Sequence, residues 1–220
     1  MKQQKLIEQF DRWAQTYDEE TAVPTNRFPF AGYADVLSTL WVGAQVTAGM
    51  SVLDVGVGTG NLARYFLEAG CDVVGADFSP LMLAKASAKL PRLTPVEADL
   101  TASQWPAVLN RRFDRIVSNY LFHEFPLTTK IEILSRLAGQ HLKLGEGILI
   151  GDIAFPTRVE LRSARQTHAE QWEEEFYWVV DEARATLEAL GWSVTYQQCS
   201  FCAGVFNLLP PAELLESKDT

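Results

Sequence analysis

The stretch Ser51-Val52-Leu53-Asp54-Val55-Gly56-Val57-Gly58-Thr59-Gly60-Asn61 decides the fold. Its first five residues form an apolar run typical of a buried strand, and a helix-like run over 61–69 follows, closed by Gly70. Glycines between the two let the backbone turn sharply and approach a ligand, while the free N–H groups at the helix start attract a negative group. The stretch therefore predicts a strand–turn–helix unit with a binding loop; the alternative is a tight glycine turn that binds nothing.

The same alternation of strands and helices continues along the chain. The last two strand-like runs are too close together for a helical crossover, so the second is expected to run antiparallel and to form a hairpin at the sheet edge. The pattern predicts an α/β fold with a doubly wound sheet of seven strands, mostly parallel with an antiparallel last hairpin, and helices on both faces. The later strands are expected at 71–76, 94–98, 113–118, 147–153, 193–200 and 203–209, and the helices at 5–15, 33–46, 80–90, 128–141 and 173–190.

The charge balance argues against a nucleic-acid partner. The chain has 220 residues with 28 Asp and Glu against 19 Lys and Arg, a formal net charge of −9, so its surface repels phosphate backbones at long range. No apolar run approaches the ~18 residues of a membrane span, and the three cysteines are too few for a disulfide framework. We therefore expect a cytoplasmic protein that acts on a small molecule, with neither nucleic acid nor a membrane as its partner.

An acid follows each of the next two predicted strands. Asp77 can accept hydrogen bonds from both hydroxyls of a ribose, and Phe78 offers a ring face to a purine. The alternative, that Asp77 caps the next helix, is disfavoured because Ser79 stands at the natural cap position just before Pro80. Asp99 follows the third strand in the same way, with a solvated loop acid as its alternative.

These residues together resemble the class I S-adenosylmethionine-dependent methyltransferases. Asp54-x-Gly56-x-Gly58-x-Gly60 matches the first motif of that family, Asp77 its ribose acid, and Asp99-Leu100 the pair beside the adenine. Over most of its length the chain is also similar to small bacterial methyltransferases of undefined substrate, through the segments 13–18, 57–62 and 116–123. The resemblance implies a Rossmann-like fold and S-adenosyl-L-methionine as cofactor, with S-adenosyl-L-homocysteine as the product.

The resemblance also implies a role for each matching residue. The three loop glycines would face the methionine part of the cofactor, and Tyr17 would close over it, the alternative being that Tyr17 packs against Trp13 on a helix face. The expected cofactor-binding residues are Tyr17, Asp54, Gly56, Gly58, Gly60, Asp77, Phe78, Asp99, Leu100 and Ser118, the last from the loosely matching fourth motif.

A single domain is expected over residues 1–220, because no linker rich in Gly, Ser or Pro divides the chain. It would consist of an N-terminal helical cap over 1–48, a cofactor-binding half over 49–154, and a substrate wall with the C-terminal hairpin over 155–220.

His123 and Glu124 are the candidate catalytic residues. They follow the fourth predicted strand, at the edge where ligands of doubly wound sheets gather, and an imidazole there can orient the acceptor or take its proton. The alternative for His123 is a hydrogen-bonded core histidine, because Leu121, Phe122 and Phe125 surround it.

Missing motifs restrict the acceptor and the cofactors. No Pro-Pro pair follows the fourth strand, which disfavours amino-group methylation of adenine or glutamine, and no cysteine follows a proline, as a cytosine-methylating nucleophile would. Cys199 and Cys202 have no second cysteine pair and the histidines lack ligand spacing, so no metal is expected. The acidic run Glu173-Glu174-Glu175 is interpreted as the solvated face of the predicted helix 173–190.

Three functions are compatible with this sequence. The first is a methyltransferase acting on a small-molecule acceptor, and the second is a non-catalytic S-adenosylmethionine-binding sensor or partner subunit. The third, a nicotinamide dehydrogenase, is disfavoured because its Gly-x-Gly-x-x-Gly fingerprint would need glycine at position 61, where Asn61 stands.

Overall fold

The computed structural model of the protein describes residues 10–22 and 25–216. A central sheet has the strand order β3-β2-β1-β4-β5-β8-β7, and a two-residue strand, β6, pairs with the end of β5. The strands are β1 (Ser51–Val55), β2 (Asp72–Asp77), β3 (Thr94–Glu97), β4 (Arg115–Asn119), β5 (Ile148–Phe155), β6 (Trp178–Val179), β7 (Ser193–Gln198) and β8 (Ala203–Leu209). The α/β, mostly parallel architecture expected from the sequence is confirmed.

Helices cover both faces of the sheet. Adjacent residues of a strand point to opposite faces, so Val52 packs with the helices of one face and Leu53 with those of the other. The helices are α1 (Tyr17–Ala22), α2 (Tyr33–Ala44), α3 (Ala63–Glu68), α4 (Pro80–Lys89), α5 (Leu127–His141), α6 (Arg158–Thr167), α7 (Val180–Ala189) and α8 (Ala212–Glu216). None of the helices in the described ranges is both long enough and apolar enough to cross a membrane.

The strand order reverses between β1 and β4. The chain builds β1, β2 and β3 outward in one direction and then returns to place β4 and β5 on the other side of β1. All pairings among these five strands are parallel, so their carboxyl ends lie at one edge of the sheet. A crevice opens there, because the connections after β1 and β4 leave in opposite directions.

The reversed strand β8 lies inside the sheet. It pairs antiparallel with both β5 and β7, so the edge strand is β7. The sequence pattern placed β8 at the edge, and that expectation is wrong. The antiparallel C-terminal hairpin itself is confirmed.

The predicted helix over 173–190 begins only at Val180. Residues 173–177 have no regular secondary structure, and Trp178 and Val179 pair with Ala154 and Phe155 as the short strand β6. Trp178 is 1% exposed, and burial of its large ring in the core outweighs the local helical preference. Sequence analysis also missed α6, which lies in the expected substrate wall. Of the predicted helix 5–15, residues 5–9 lie outside the described residues, while 10–13 are helical.

Candidate functional site

The glycine loop after β1 uses left-handed backbone conformations. Gly56, Gly58 and Gly60 have φ angles of 72°, 53° and 87°, a region that favours glycine. A Cβ atom at Gly60 would lie 2.5 Å from Cδ1 of Leu90, whereas one at Gly58 would meet no described atom within 4 Å. At Gly60 the positive φ angle and the closeness of Leu90 both favour glycine, whereas Gly58 borders open space.

Asp77, the last residue of β2, ties this loop to the next helix. One carboxylate oxygen accepts a hydrogen bond from the Gly58 N–H at 2.9 Å, and the other accepts from the Ser79 N–H at 2.9 Å. Burial raises the pKa of the Asp77 carboxyl, and these backbone donors oppose the rise. The cap of α4 is Ser79, whose Oγ accepts from the Met82 N–H at 3.1 Å, so Asp77 does not fill that role.

Asp54 lies in β1 directly before the loop and is 1% exposed. Neither of its carboxylate oxygens has a hydrogen-bond partner of ordinary geometry among the described residues. Burial, together with the charge of Asp77, raises the pKa of Asp54 to about 8. A buried carboxylate without a partner is energetically costly, so a cationic group brought to it would be stabilised.

A cavity of about 440 Å³ opens beside the loop at the carboxyl ends of β1, β2 and β3. Asp77, Asp99 and Glu124 contribute its acidic groups, and Asp99 also accepts hydrogen bonds from the Thr101 N–H and hydroxyl. Apolar side chains form much of the remaining wall, among them Phe78, Leu100, Leu121 and Phe125. The cavity thus joins acidic groups to flat apolar surfaces, as a nucleoside requires.

The N-terminal helix α1 lies across the glycine loop. The Thr59 hydroxyl donates a hydrogen bond to Asp18, and Asp18 forms an ion pair with Lys89 of α4 at 2.8 Å. Tyr17 is buried, with its hydroxyl 3.2 Å from that of Tyr33 and its ring 4.8 Å from that of Trp13. Tyr17 thus packs against Trp13, the alternative raised for it from the sequence. The contacts of Asp18 with Thr59 and Lys89 join the cap to the loop and to α4.

A second cavity of about 410 Å³ lies between this cap and the segment before β6. Six aromatic side chains and three glutamates are among the residues that line it. Glu124 lines this cavity and also the first, so the two spaces meet at that residue. Its principal lining residues are Trp13, Phe28, Phe30, Tyr120, His123, Glu124, Glu173, Glu175 and Tyr177.

His123 is 4% exposed and hydrogen-bonded to a fully buried acid. Its Nδ1 lies 2.6 Å from Oδ1 of Asp152 in the neighbouring strand β5. Asp152 also accepts hydrogen bonds from the Trp178 indole N–H at 2.9 Å and the Ile153 N–H at 2.8 Å. This network fixes the imidazole ring, with Nδ1 directed into the core and Nε2 as the nitrogen left for the cavity.

Two glutamates approach the free nitrogen of His123. Its Nε2 is 3.9 Å from a carboxylate oxygen of Glu124 and 3.9 Å from one of Glu175. Burial lowers the pKa of His123, but the charge and hydrogen bond of Asp152, aided by both glutamates, raise it to about 9. Burial raises the pKa of Glu175 to about 7, against the opposing charge of His123. Three acidic side chains, those of Asp152, Glu124 and Glu175, therefore surround the imidazole of His123.

Comparison with known proteins identifies the family. A family model for a methyltransferase domain matches residues 52–145. An uncharacterised methyltransferase of Geobacillus thermodenitrificans is 32% identical over 205 residues, which cover 88% of this chain and 92% of that protein. Another, from Geobacillus sp. strain WCH70, is 34% identical over 200 residues, 86% of this chain and 90% of that protein. The chain belongs to the methyltransferase family.

Solved structures with the same fold as this methyltransferase contain S-adenosylmethionine or its product. The DhpI–SAM–HEP complex superposes with a TM-score of 0.70 at 17% identity, covering 94% of this chain and 97% of that one. Magnesium protoporphyrin IX methyltransferase of Synechocystis PCC 6803, with bound SAH, has a TM-score of 0.68 at 19% identity, covering 91% and 94%. The chain therefore has the fold of these S-adenosylmethionine-dependent methyltransferases, as the resemblance in the sequence implied.

Only some of the expected cofactor-binding residues of this methyltransferase line the first cavity. Five of them line the first cavity: Gly56, Asp77, Phe78, Asp99 and Leu100. Ser118 is not among the lining residues, because its buried hydroxyl donates a hydrogen bond to the Val55 carbonyl at 2.7 Å and so joins β4 to β1. His123 and Glu124 both line the second cavity, and their role towards an acceptor stays a prediction.

Sequence reasoning about the methyltransferase missed Asp152 and Glu175. For Asp152 a signal existed, because an acid within the apolar run 147–153 must be buried and must find a partner. For Glu175 no local signal existed, since the acidic run 173–175 has the composition of a solvated helix face. The non-helical path of the chain before β6 brings this glutamate to His123.

Proposed function

We propose that this methyltransferase binds S-adenosyl-L-methionine in the first cavity and transfers the methyl group to a small molecule in the second. The observation that carries the proposal is the position of Glu124 in the walls of both cavities. The two spaces meet at the edge where strand order reverses, which is where doubly wound sheets bind their ligands. A volume of about 410 Å³ is also that of a site for a small molecule rather than for a macromolecule.

The residues of the first cavity and its loop fit the cofactor. Asp77 keeps free lone pairs after accepting its two backbone hydrogen bonds, and these can accept the ribose hydroxyls. Phe78 and Leu100 provide apolar surface for the adenine. The unpartnered carboxylate of Asp54 would receive the ammonium of the methionine part. When bound, this cofactor supplies an electrophilic methyl group on a sulfonium centre.

The protein's own contribution would be positioning and the exclusion of water. Helix α1, held by the contacts of Asp18 with Thr59 and Lys89, covers the loop and buries Tyr17 above it. The aromatic wall of the second cavity, which includes Phe30 and Tyr120, keeps the acceptor in an apolar environment. An in-line displacement needs this alignment more than it needs a nucleophile of the protein.

His123 and Glu124 would orient the acceptor. His123 is held by Asp152, so its Nε2 has a defined position at the cavity wall. Glu124 stands where the two cavities meet, which is where the accepting atom must lie during transfer. Both residues therefore touch the space in which the reacting atoms would be aligned.

Two experiments test the proposal. Titration calorimetry with S-adenosylhomocysteine and with NAD should give the tighter binding for the former, because the loop and Asp77 leave no seat for a pyrophosphate; tighter binding of NAD would refute it. A transfer assay with methyl-labelled S-adenosylmethionine and a fractionated metabolite extract should then label a low-molecular-weight acceptor. The Asp77→Ala variant is the control, and label that appears equally with this variant would not come from the proposed site.

A further inference from the structure

Three side chains converge in the second cavity without filling the space between them. Nε2 of His123 lies 3.9 Å from a carboxylate oxygen of Glu124 and 3.9 Å from one of Glu175, and all three atoms lie within 4.8 Å of one another. These separations are too long for hydrogen bonds. A point equidistant from three such atoms lies at most about 2.5 Å from each, which is a few tenths of an ångström longer than Zn–N and Zn–O distances, so small side-chain rotations would bring all three atoms to one ion.

The imidazole is held as a metal ligand would be. Histidines that bind metals usually donate their other ring N–H to a carboxylate, which fixes the tautomer and the ring orientation. Here Nδ1 of His123 lies 2.6 Å from Asp152, and Asp152 is itself held by the Trp178 indole. His123 is only 4% exposed, yet its Nε2 makes no hydrogen bond to any residue in the described part of the chain. A buried ring whose Nε2 lies at the cavity wall without a hydrogen bond points to a ligand.

We infer that His123, Glu124 and Glu175 together bind a divalent metal ion in the wall of the second cavity. One imidazole and two carboxylates suit Mn²⁺ or Zn²⁺ better than Ca²⁺ or Mg²⁺, which prefer oxygen ligands alone. Three protein ligands leave positions open towards the cavity, where an oxygen or nitrogen atom of the acceptor would bind. Binding of the metal stands independently of methyl transfer, but its role in holding the acceptor rests on the proposed function.

Local charge favours a cation at this point. The side chains of Glu124 and Glu175 are only 23% and 19% exposed, and both approach Nε2 of the imidazole that Asp152 holds through Nδ1. Carboxylates that share a space of low polarity repel one another, and a divalent ion between them would relieve that repulsion. Glu173 lines the same cavity but does not belong to the converging group, so it provides a matched control.

The direct test is Mn²⁺ binding to the full-length protein after treatment with a chelator. Titration followed by the electron paramagnetic resonance of free Mn²⁺ should show one bound equivalent in the wild type. Glu175→Gln and Glu124→Gln should each weaken binding at least about tenfold, because each removes one charged ligand. Glu173→Gln should stay within about twofold of the wild type. Absence of a stoichiometric site, or an equal loss in Glu173→Gln and Glu175→Gln, would overturn the inference.

Two further measurements separate this site from the cofactor site. Mn²⁺ should raise the melting temperature of the wild type and of Glu173→Gln but not that of Glu175→Gln, while all three bind S-adenosylhomocysteine equally. Intact binding of S-adenosylhomocysteine without any Mn²⁺ site would refute the metal and leave the proposed function in place. Ca²⁺ should bind more weakly than Mn²⁺, and equal affinity would show that the acids attract any cation without the imidazole.

Discussion

The buried carboxyl of Asp54 should make cofactor binding depend on pH. Its pKa of about 8 means that at pH 7 about one molecule in ten carries the ionised form, and at pH 6 about one in a hundred. If only the ionised form pairs with the ammonium of S-adenosylhomocysteine, the apparent Kd should rise roughly 50-fold between pH 8 and pH 6, or about 2.3 kcal/mol. Nearly all of this rise should occur below the pKa of Asp54.

The assay is calorimetric titration at several pH values between 6 and 8.5, with one variant and one altered ligand as controls. Asp54→Asn keeps the shape of the side chain but does not ionise, so the pH dependence should disappear and the affinity should stay low. 5′-Methylthioadenosine has no ammonium group, so its affinity for the wild type should be flat across this range. A slope that survives in Asp54→Asn, or one of equal size with 5′-methylthioadenosine, would refute the assignment of Asp54.

The raised pKa of Asp54 should also make the stability of the protein depend on pH. A carboxyl with a raised folded-state pKa binds its proton more tightly in the folded than in the unfolded chain, so stability is lost as pH rises between the ordinary pKa, about 4, and about 8. Asp54→Asn removes this loss, so it should raise the melting temperature more at pH 8 than at pH 5. A variant that is equally stabilised, or destabilised, at both pH values would show that Asp54 is ionised and paired in the folded protein.

Three other substitutions test separate parts of the site. Asp77→Ala removes a charged hydrogen-bond acceptor for the ribose and releases the Gly58 N–H. The Kd for S-adenosylhomocysteine should therefore rise by at least tenfold, since each charged hydrogen bond contributes about 1.5 to 3 kcal/mol. An unchanged Kd in calorimetry would exclude a contact between Asp77 and the ribose. Gly58→Ala and Gly145→Ala both place alanine at a positive φ angle beside open space, so the two variants should lose similar stability, about 1 to 2 kcal/mol. Only Gly58→Ala should weaken binding of S-adenosylhomocysteine. If both variants bind it equally well, the loop does not belong to the cofactor site. His123→Asn leaves the buried Asp152 without its imidazole partner, so the free energy of unfolding, measured in urea, should fall by about 3 to 5 kcal/mol. The rate of methyl transfer per folded molecule should fall as well. A wild-type rate per folded molecule would show that His123 is a core residue only.

The local sequence was sufficient for most of the fold and for the cofactor half of the site. The run Ser51–Val55 is a strand with the predicted bounds, and the glycines after it adopt the positive φ angles that the loop requires. Asp77 stands at the end of its strand, and Ser79 caps the next helix. These features depend on neighbours within a few residues, because strand periodicity, turn geometry and helix capping are local properties of the backbone.

Tertiary packing decided the acceptor side. Residues 173–179 belong to the predicted helix, yet they are not helical, because burial of Trp178 against β5 stabilises the chain more than local helical bonds would. That path carries Glu175 to His123, 52 positions earlier in the chain, and the pairing of β4 with β5 brings Asp152 to the same ring. Contacts between such distant residues follow from sheet order and from the burial of large side chains, neither of which a local pattern of residue types encodes.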